Sequence, residues 1–168
     1  MKKLILTYGT VAGLIVVLMM IITFSTSLVN MENGEILGYS TMIIAFSTIF
    51  FAIKSYRDQF LSGQINFGKA FKIGLGITLV ATLFYIVAWL IVSSTIAKDF
   101  MFEYSQKAIA DIRTSGLPEA EMNTKISGIE SFRELYKNPL VKIGFTFLEI
   151  FPVGLLVSLI SAFILKKK

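Results

Sequence analysis

The chain contains no cysteine and no histidine. Disulfides, thiol nucleophiles, imidazole bases, Cys/His metal centres and haem ligation through either residue are therefore excluded. Charge is also scarce. Asp, Glu, Lys and Arg make up 16% of the 168 residues, against roughly 25% in soluble domains. The deficit is concentrated in four stretches. Leu4–Leu28, Ile36–Ile53 and Ile73–Ala97 carry no charge at all, and Ile143–Leu165 carries only Glu149. Each reaches the roughly 18 residues of a membrane-crossing helix. Buried helices of soluble folds are seldom apolar all round over such lengths, and barrel strands alternate over about 10 residues. A water-soluble enzyme is thus disfavoured. The expected fold is all-α, with four transmembrane helices at about 4–28, 36–53, 73–97 and 143–165 in a single membrane domain spanning 1–168.

Orientation follows from where the bases lie, because Lys and Arg resist translocation. Lys2 and Lys3 precede the first span, and Lys166, Lys167 and Lys168 follow the last. The second loop holds Lys54, Arg57, Lys69 and Lys72 against Asp58 alone. The first loop, Val29–Glu35, has Glu32 and Glu35 and no base, while the third, Lys98–Lys142, balances seven bases with seven acids. Cytoplasmic termini, a cytoplasmic second loop and an extracytoplasmic 98–142 segment satisfy every element. The basic pI of about 9.4 then reflects orientation, and no nucleic-acid partner is expected, since that would need a basic face free of the bilayer. Lys2 and Lys3 before an apolar run resemble a secretory signal, but the run outlasts the 7–15 residues of a signal core. It is expected to stay as a permanent span.

The polar segments carry local signals. In span one, Gly9 and Gly13 form a small-xxx-small pair that favours close helix packing, here within the chain rather than between copies. Span two carries Ser40, Thr41, Ser47 and Thr48 in seven-residue repeats, as interhelical hydrogen bonding or a polar lining. Span three has Thr78, Thr82, Tyr85 and Trp89 in one semi-polar stripe that should face other helices. In the second loop, Ser62-Gly63 is a turn signal and Asn66 a helix cap. Lys54, Arg57, Lys69 and Lys72 are either snorkelling anchors or a contact for anionic lipid head groups or a cytoplasmic partner. The 98–142 segment is too long to lack structure of its own. Phe100, Tyr104, Ala108 and Ile112 mark one amphipathic helix over Asp99–Thr114, and Met122, Ile126, Ile129 and Phe132 a second over Pro118–Tyr136. They make a helical hairpin with its tip at Gly116-Leu117-Pro118. Asn138-Pro139 suits the start of span four.

One residue is costly. Glu149 lies about five residues, or ~7 Å, from the middle of span four at 1.5 Å per residue. An acid at that depth is a functional-site candidate. Pro152 withdraws the donor that the Leu148 carbonyl would otherwise have. Ser40, Thr41 and Tyr85 are candidate partners at similar depth, together with Thr23 and Trp89. None carries a positive charge, so a neutral carboxyl is expected. Glu149, Ser40, Thr41, Tyr85 and Pro152 form the candidate intramembrane polar site.

Three stretches carry a family resemblance. They are Lys54-Ser-Tyr-Arg-Asp through Phe67-Gly68-Lys69-Ala70-Phe71-Lys72, then Asp99-Phe100, and Phe151-Pro152-x-Gly154-Leu155 through Leu159-Ile160-Ser161. With them the chain resembles the domain-of-unknown-function family 4199 of small bacterial integral membrane proteins. The resemblance implies a four-span inner-membrane protein and brings no catalytic residue or substrate with it.

The expected function is that of an interaction or accessory subunit, with the lipid bilayer, anionic head groups and a second copy or membrane protein as partners. A transporter or channel component using Glu149 is the alternative. A lipid-acting enzyme would have to use Asp99, Glu103 and Asp111, which share one helical side but equally suit a solvated face. No enzymatic activity, catalytic residue, metal or cofactor is expected.

Overall fold

The structure, a computed structural model, describes residues 1–26 and 31–167, without the side chains of 31, 32 and 35. The expected end of span one at Leu28, the side chains of Glu32 and Glu35 and the terminal Lys168 lie outside these described residues. Among the described residues six helices follow in order: α1 (Lys2–Ser25), α2 (Met31–Phe60), α3 (Phe67–Val92), α4 (Phe100–Arg113), α5 (Glu119–Leu135) and α6 (Pro139–Leu165). Four of them, α1, α2 from Ile36, α3 and α6, are long and apolar enough to cross a membrane. The chain is that of a multi-pass membrane protein, and among the described residues it is all-helical but for one bridge.

Helix limits differ from the charge-free limits for local reasons. Helix α2 runs on past Lys54 to Phe60, because a charged residue ends an apolar run without ending a helix. Helix α3 starts at Phe67, where Asn66 Oδ1 accepts from the Lys69 backbone N–H at 2.8 Å. It stops at Val92 rather than near Ala97. There Ser94 and Thr95 turn their hydroxyls onto the Ile91 carbonyl at 2.9 and 2.7 Å, competing with the helical ladder. Asn138 caps α6 through the Leu140 N–H at 2.9 Å. The 61–66 turn needs left-handed backbone, with φ of 50° at Ser62 and 83° at Gly63.

Contacts divide the chain into two compact units, Met1–Trp89 with Thr146–Lys168, and Leu90–Phe145. In the first unit, residue pairs fix helix directions. A Cβ on Gly9 would stand 2.6 Å from Val80 Cβ, and one on Gly13 2.8 Å from Phe84 Cβ. Helices α1 and α3 therefore run parallel with their backbones close, and the glycine pair serves internal packing. Gly74 abuts Ser158 and Ile49, while Gly154 abuts Thr78 and Phe46. Helices α2 and α6 thus run together, opposite to α3. Phe46, Ile49, Ile53, Ile73, Ile77 and Ile150 fill the core.

The distribution of polarity fits oil as the solvent of this unit. Thr41, Thr78, Thr82, Thr146, Ser158 and Ser161 are buried. Leu14, Leu18, Ile43, Phe51, Leu79, Leu83, Leu148, Leu156 and Phe163 point outward. Only 28–39% of the most apolar stretch of each candidate span is buried, and large apolar side chains stay exposed on all four. In a bilayer that surface meets lipid, and small or hydroxylated residues make the helix contacts.

In the second unit, α4 and α5 pack together around the turn where Gly116 adopts φ 71°. The face of α4 that packs carries Ser105 and Ile109. It is rotated from the expected stripe, and Tyr104 of that stripe is exposed. Phe132 meets Phe145 edge-on at 4.8 Å, and Arg133 lies over the Phe102 ring. A shallow groove of about 370 Å³ runs between Met101, Tyr104 and Ile112 on α4 and Lys125, Gly128, Ile129 and Phe132 on α5.

Candidate functional site

The polar groups of the first unit follow the α3–α6 seam. Its half around Thr78 and Ser158 is closed. Ser158 donates to the Gly154 carbonyl at 2.7 Å, so the 3.1 Å contact between the Thr78 and Ser158 hydroxyls is donated by Thr78. Glycines at 74 and 154 let the backbones approach this far. Thr82 is buried one turn further along α3, and its hydroxyl has no hydrogen-bond partner. Sequence reasoning missed Ser158. Its signal was the four-residue step of buried positions Thr146, Ile150, Gly154 and Ser158 along α6.

Further along the seam, the Tyr85 hydroxyl donates to Glu149 Oε1 at 3.0 Å. The two residues are 64 apart in sequence and are joined because α3 and α6 run antiparallel in this register. Glu149 is exposed rather than enclosed. Pro152 is exposed as well, three residues on and on the same outward face of α6. The Leu148 carbonyl that Pro152 leaves without a helical donor belongs to this face. The site is thus a carboxyl, a phenol and a backbone carbonyl on the outer side of a membrane-crossing helix.

Thr41 and the serines of α2 fall elsewhere. Thr41 is buried and donates to its own Leu37 carbonyl at 2.7 Å. Ser40 and Ser47 are exposed on the outward side of α2, and Ser47 donates back to Ile44 at 2.6 Å. These serines line no interior path. Thr23 is half-buried, and Trp89 is buried with its ring 5.4 Å from Phe24. Asp99, Glu103 and Asp111 are all exposed. Among the described residues no three acids stand together as metal ligands would.

At the other end of the first unit, Lys54, Lys69 and Lys72 are exposed. Arg57 lies along the Asp58 carboxylate at 2.7 Å and reaches the Leu165 carbonyl at 3.5 Å. Ile65 and Lys167 exchange backbone hydrogen bonds of 3.0 and 2.9 Å in an antiparallel bridge. The bridge holds Lys166 and Lys167 beside the 61–66 turn, so bases far apart in sequence share one end of the unit. Nothing in hydropathy or charge pattern announces it, because it is made by backbone atoms alone.

No curated protein and no solved structure matches this chain. A family model described as a protein of unknown function, DUF4199, matches residues 7–167. The match covers both the capped second loop and the Glu149–Pro152 segment, and the chain belongs to that family.

Proposed function

We propose that this is an interaction subunit of the bacterial inner membrane, with both termini cytoplasmic and the α4–α5 hairpin extracytoplasmic. One observation carries the reading. The costliest group in the spans, Glu149 with its Tyr85 partner, stands on an outward face of α6. A conduit would place such a group inside, but the seam beneath it is filled by Thr78, Ser158 and close glycine contacts. An acid facing lipid is expensive, and a docked membrane segment takes it out of the lipid. No catalytic role, cofactor or nucleic-acid partner belongs to this reading.

The bridged inner end supports a second contact. Lys54, Arg57, Lys69 and Lys72, joined by Lys166 and Lys167, favour anionic lipid head groups at the cytoplasmic surface. Lys166 over the Phe163 ring at 4.1 Å is the snorkelling arrangement of such an anchor.

Purification in mild detergent with mass determination tests the reading. The wild-type chain is expected to run as a complex larger than its 18.7 kDa monomer, and Glu149→Leu is expected to return it to the monomer. A wild-type chain that is monomeric throughout overturns the interaction role. Impermeant maleimide should label Ser62→Cys from the cytoplasm and Ser115→Cys from outside, and the reverse pattern overturns the orientation.

A further inference from the structure

The outward face of α6 presents hydrogen-bond acceptors, Glu149 and the Leu148 carbonyl. The outward face of α2 presents hydroxyl donors. Tyr39 is 49% exposed, and Ser40 beside it is exposed too. The two faces belong to helices that run in the same direction, and their register is fixed. Gly154 abuts Phe46, while Ser158 and Ile49 both abut Gly74. Equal steps outward from Gly154 and Phe46 place Leu148 level with Ser40, and from Ser158 and Ile49 they place Leu148 level with Tyr39 and Glu149 level with Ser40. Acceptors and donors therefore occupy one depth of the bilayer.

Equal depth is the condition for self-assembly in a membrane. Copies inserted alike are related by rotation about the membrane normal, so residues that meet across a contact share one depth. Within the chain Glu149 takes a phenol as its donor, Tyr85, and a two-fold α6–α6 contact would offer it only a second Glu149. A head-to-tail contact sets acceptors against donors. The outward stripe of α2 also carries small Ser40 and Ser47, which allow close helix approach.

Resting on the interaction role above, we infer that the segment docked on the Glu149 face is α2 of a second copy of this chain, packed head to tail, with Tyr39 and Ser40 of one copy facing Glu149 and the Leu148 carbonyl of the next.

The test uses the full chain in its membrane, where the absence of native cysteine leaves no background. Ile43→Cys and Leu148→Cys, both at outward positions, are made as separate variants with tags of different size and coexpressed. A short bis-maleimide is expected to give a mixed dimer of intermediate size. Replacing Leu148→Cys by Phe163→Cys moves the probe ~22 Å along the axis, to about twelve residues or ~18 Å from Ile43's level, and is expected to abolish it. Added Glu149→Leu should cut the mixed product about threefold or more, while Glu149→Gln, which keeps an acceptor, should preserve it. Homotypic dimers as the main product of either single variant overturn the head-to-tail contact. A photoreactive maleimide on Leu148→Cys that captures only other proteins overturns the second copy and leaves the interaction role standing. No capture of any protein overturns both.

Discussion

Gly154→Ala places one methyl group where the structure has least space. The new Cβ would lie 2.7 Å from Thr78 Oγ1 and 2.8 Å from Phe46 Cζ. Both neighbours are wholly buried, so neither can swing away freely. Overpacking of this kind costs about 1–3 kcal/mol. Displacing Thr78 also strains its bond to Ser158, worth about 0.6 kcal/mol in membrane proteins. Alanine's better helix propensity offsets up to about 1 kcal/mol. The expected net loss is therefore about 1–2 kcal/mol. Gly38→Ala is the matched control, since nothing lies within 4 Å of its Cβ, and it should be neutral or stabilising by up to about 1 kcal/mol. Denaturant unfolding in detergent, followed by the emission of the single tryptophan, Trp89, reads both. Equal stabilities for the two variants would refute the proposed α3–α6 packing.

Removing the caps should be felt locally. Asn66→Ala leaves the Lys69 N–H without its side-chain acceptor and is expected to destabilise the start of α3 by about 1 kcal/mol, visible as faster amide exchange at 67–70. In the second unit, the Lys137 ammonium holds the exposed Glu134 carboxyl below the ordinary glutamate range, chiefly by hydrogen bonding. A lowered acid keeps its pairing above the unfolded value and loses it as pH falls through the folded one. Carbon NMR of Glu134 should show its titration moving upward in Lys137→Ala, and an unmoved midpoint would deny the pair.

Much of the local structure was legible in the sequence because its causes are local. Asn66 and Asn138 cap where an amide side chain precedes a helix, Ser62-Gly63 turns, and Gly116 interrupts α4 and α5. Of the stripe Thr78, Thr82, Tyr85 and Trp89, Tyr85 is half-buried and the other three are buried. On α4 the expected stripe is only partly covered, with Phe100, Ala108 and Ile112 half-buried and Tyr104 exposed, while the fully buried positions are the adjacent Ser105 and Ile109.

What the sequence by itself determined is the solvent and the number of crossings, because transfer of long uncharged stretches into lipid depends on composition and length, not on neighbours. It also singled out Glu149, since one acid in an apolar run is visible without coordinates. Only the tertiary structure decided which way that acid points, that Tyr85 is the donor beside it, and that Ile65 joins Lys167. Those outcomes depend on helix rotation and on the register between segments, which are set by where glycines let backbones touch. Rotation and register are properties of pairs of helices, and no single stretch of the chain contains them.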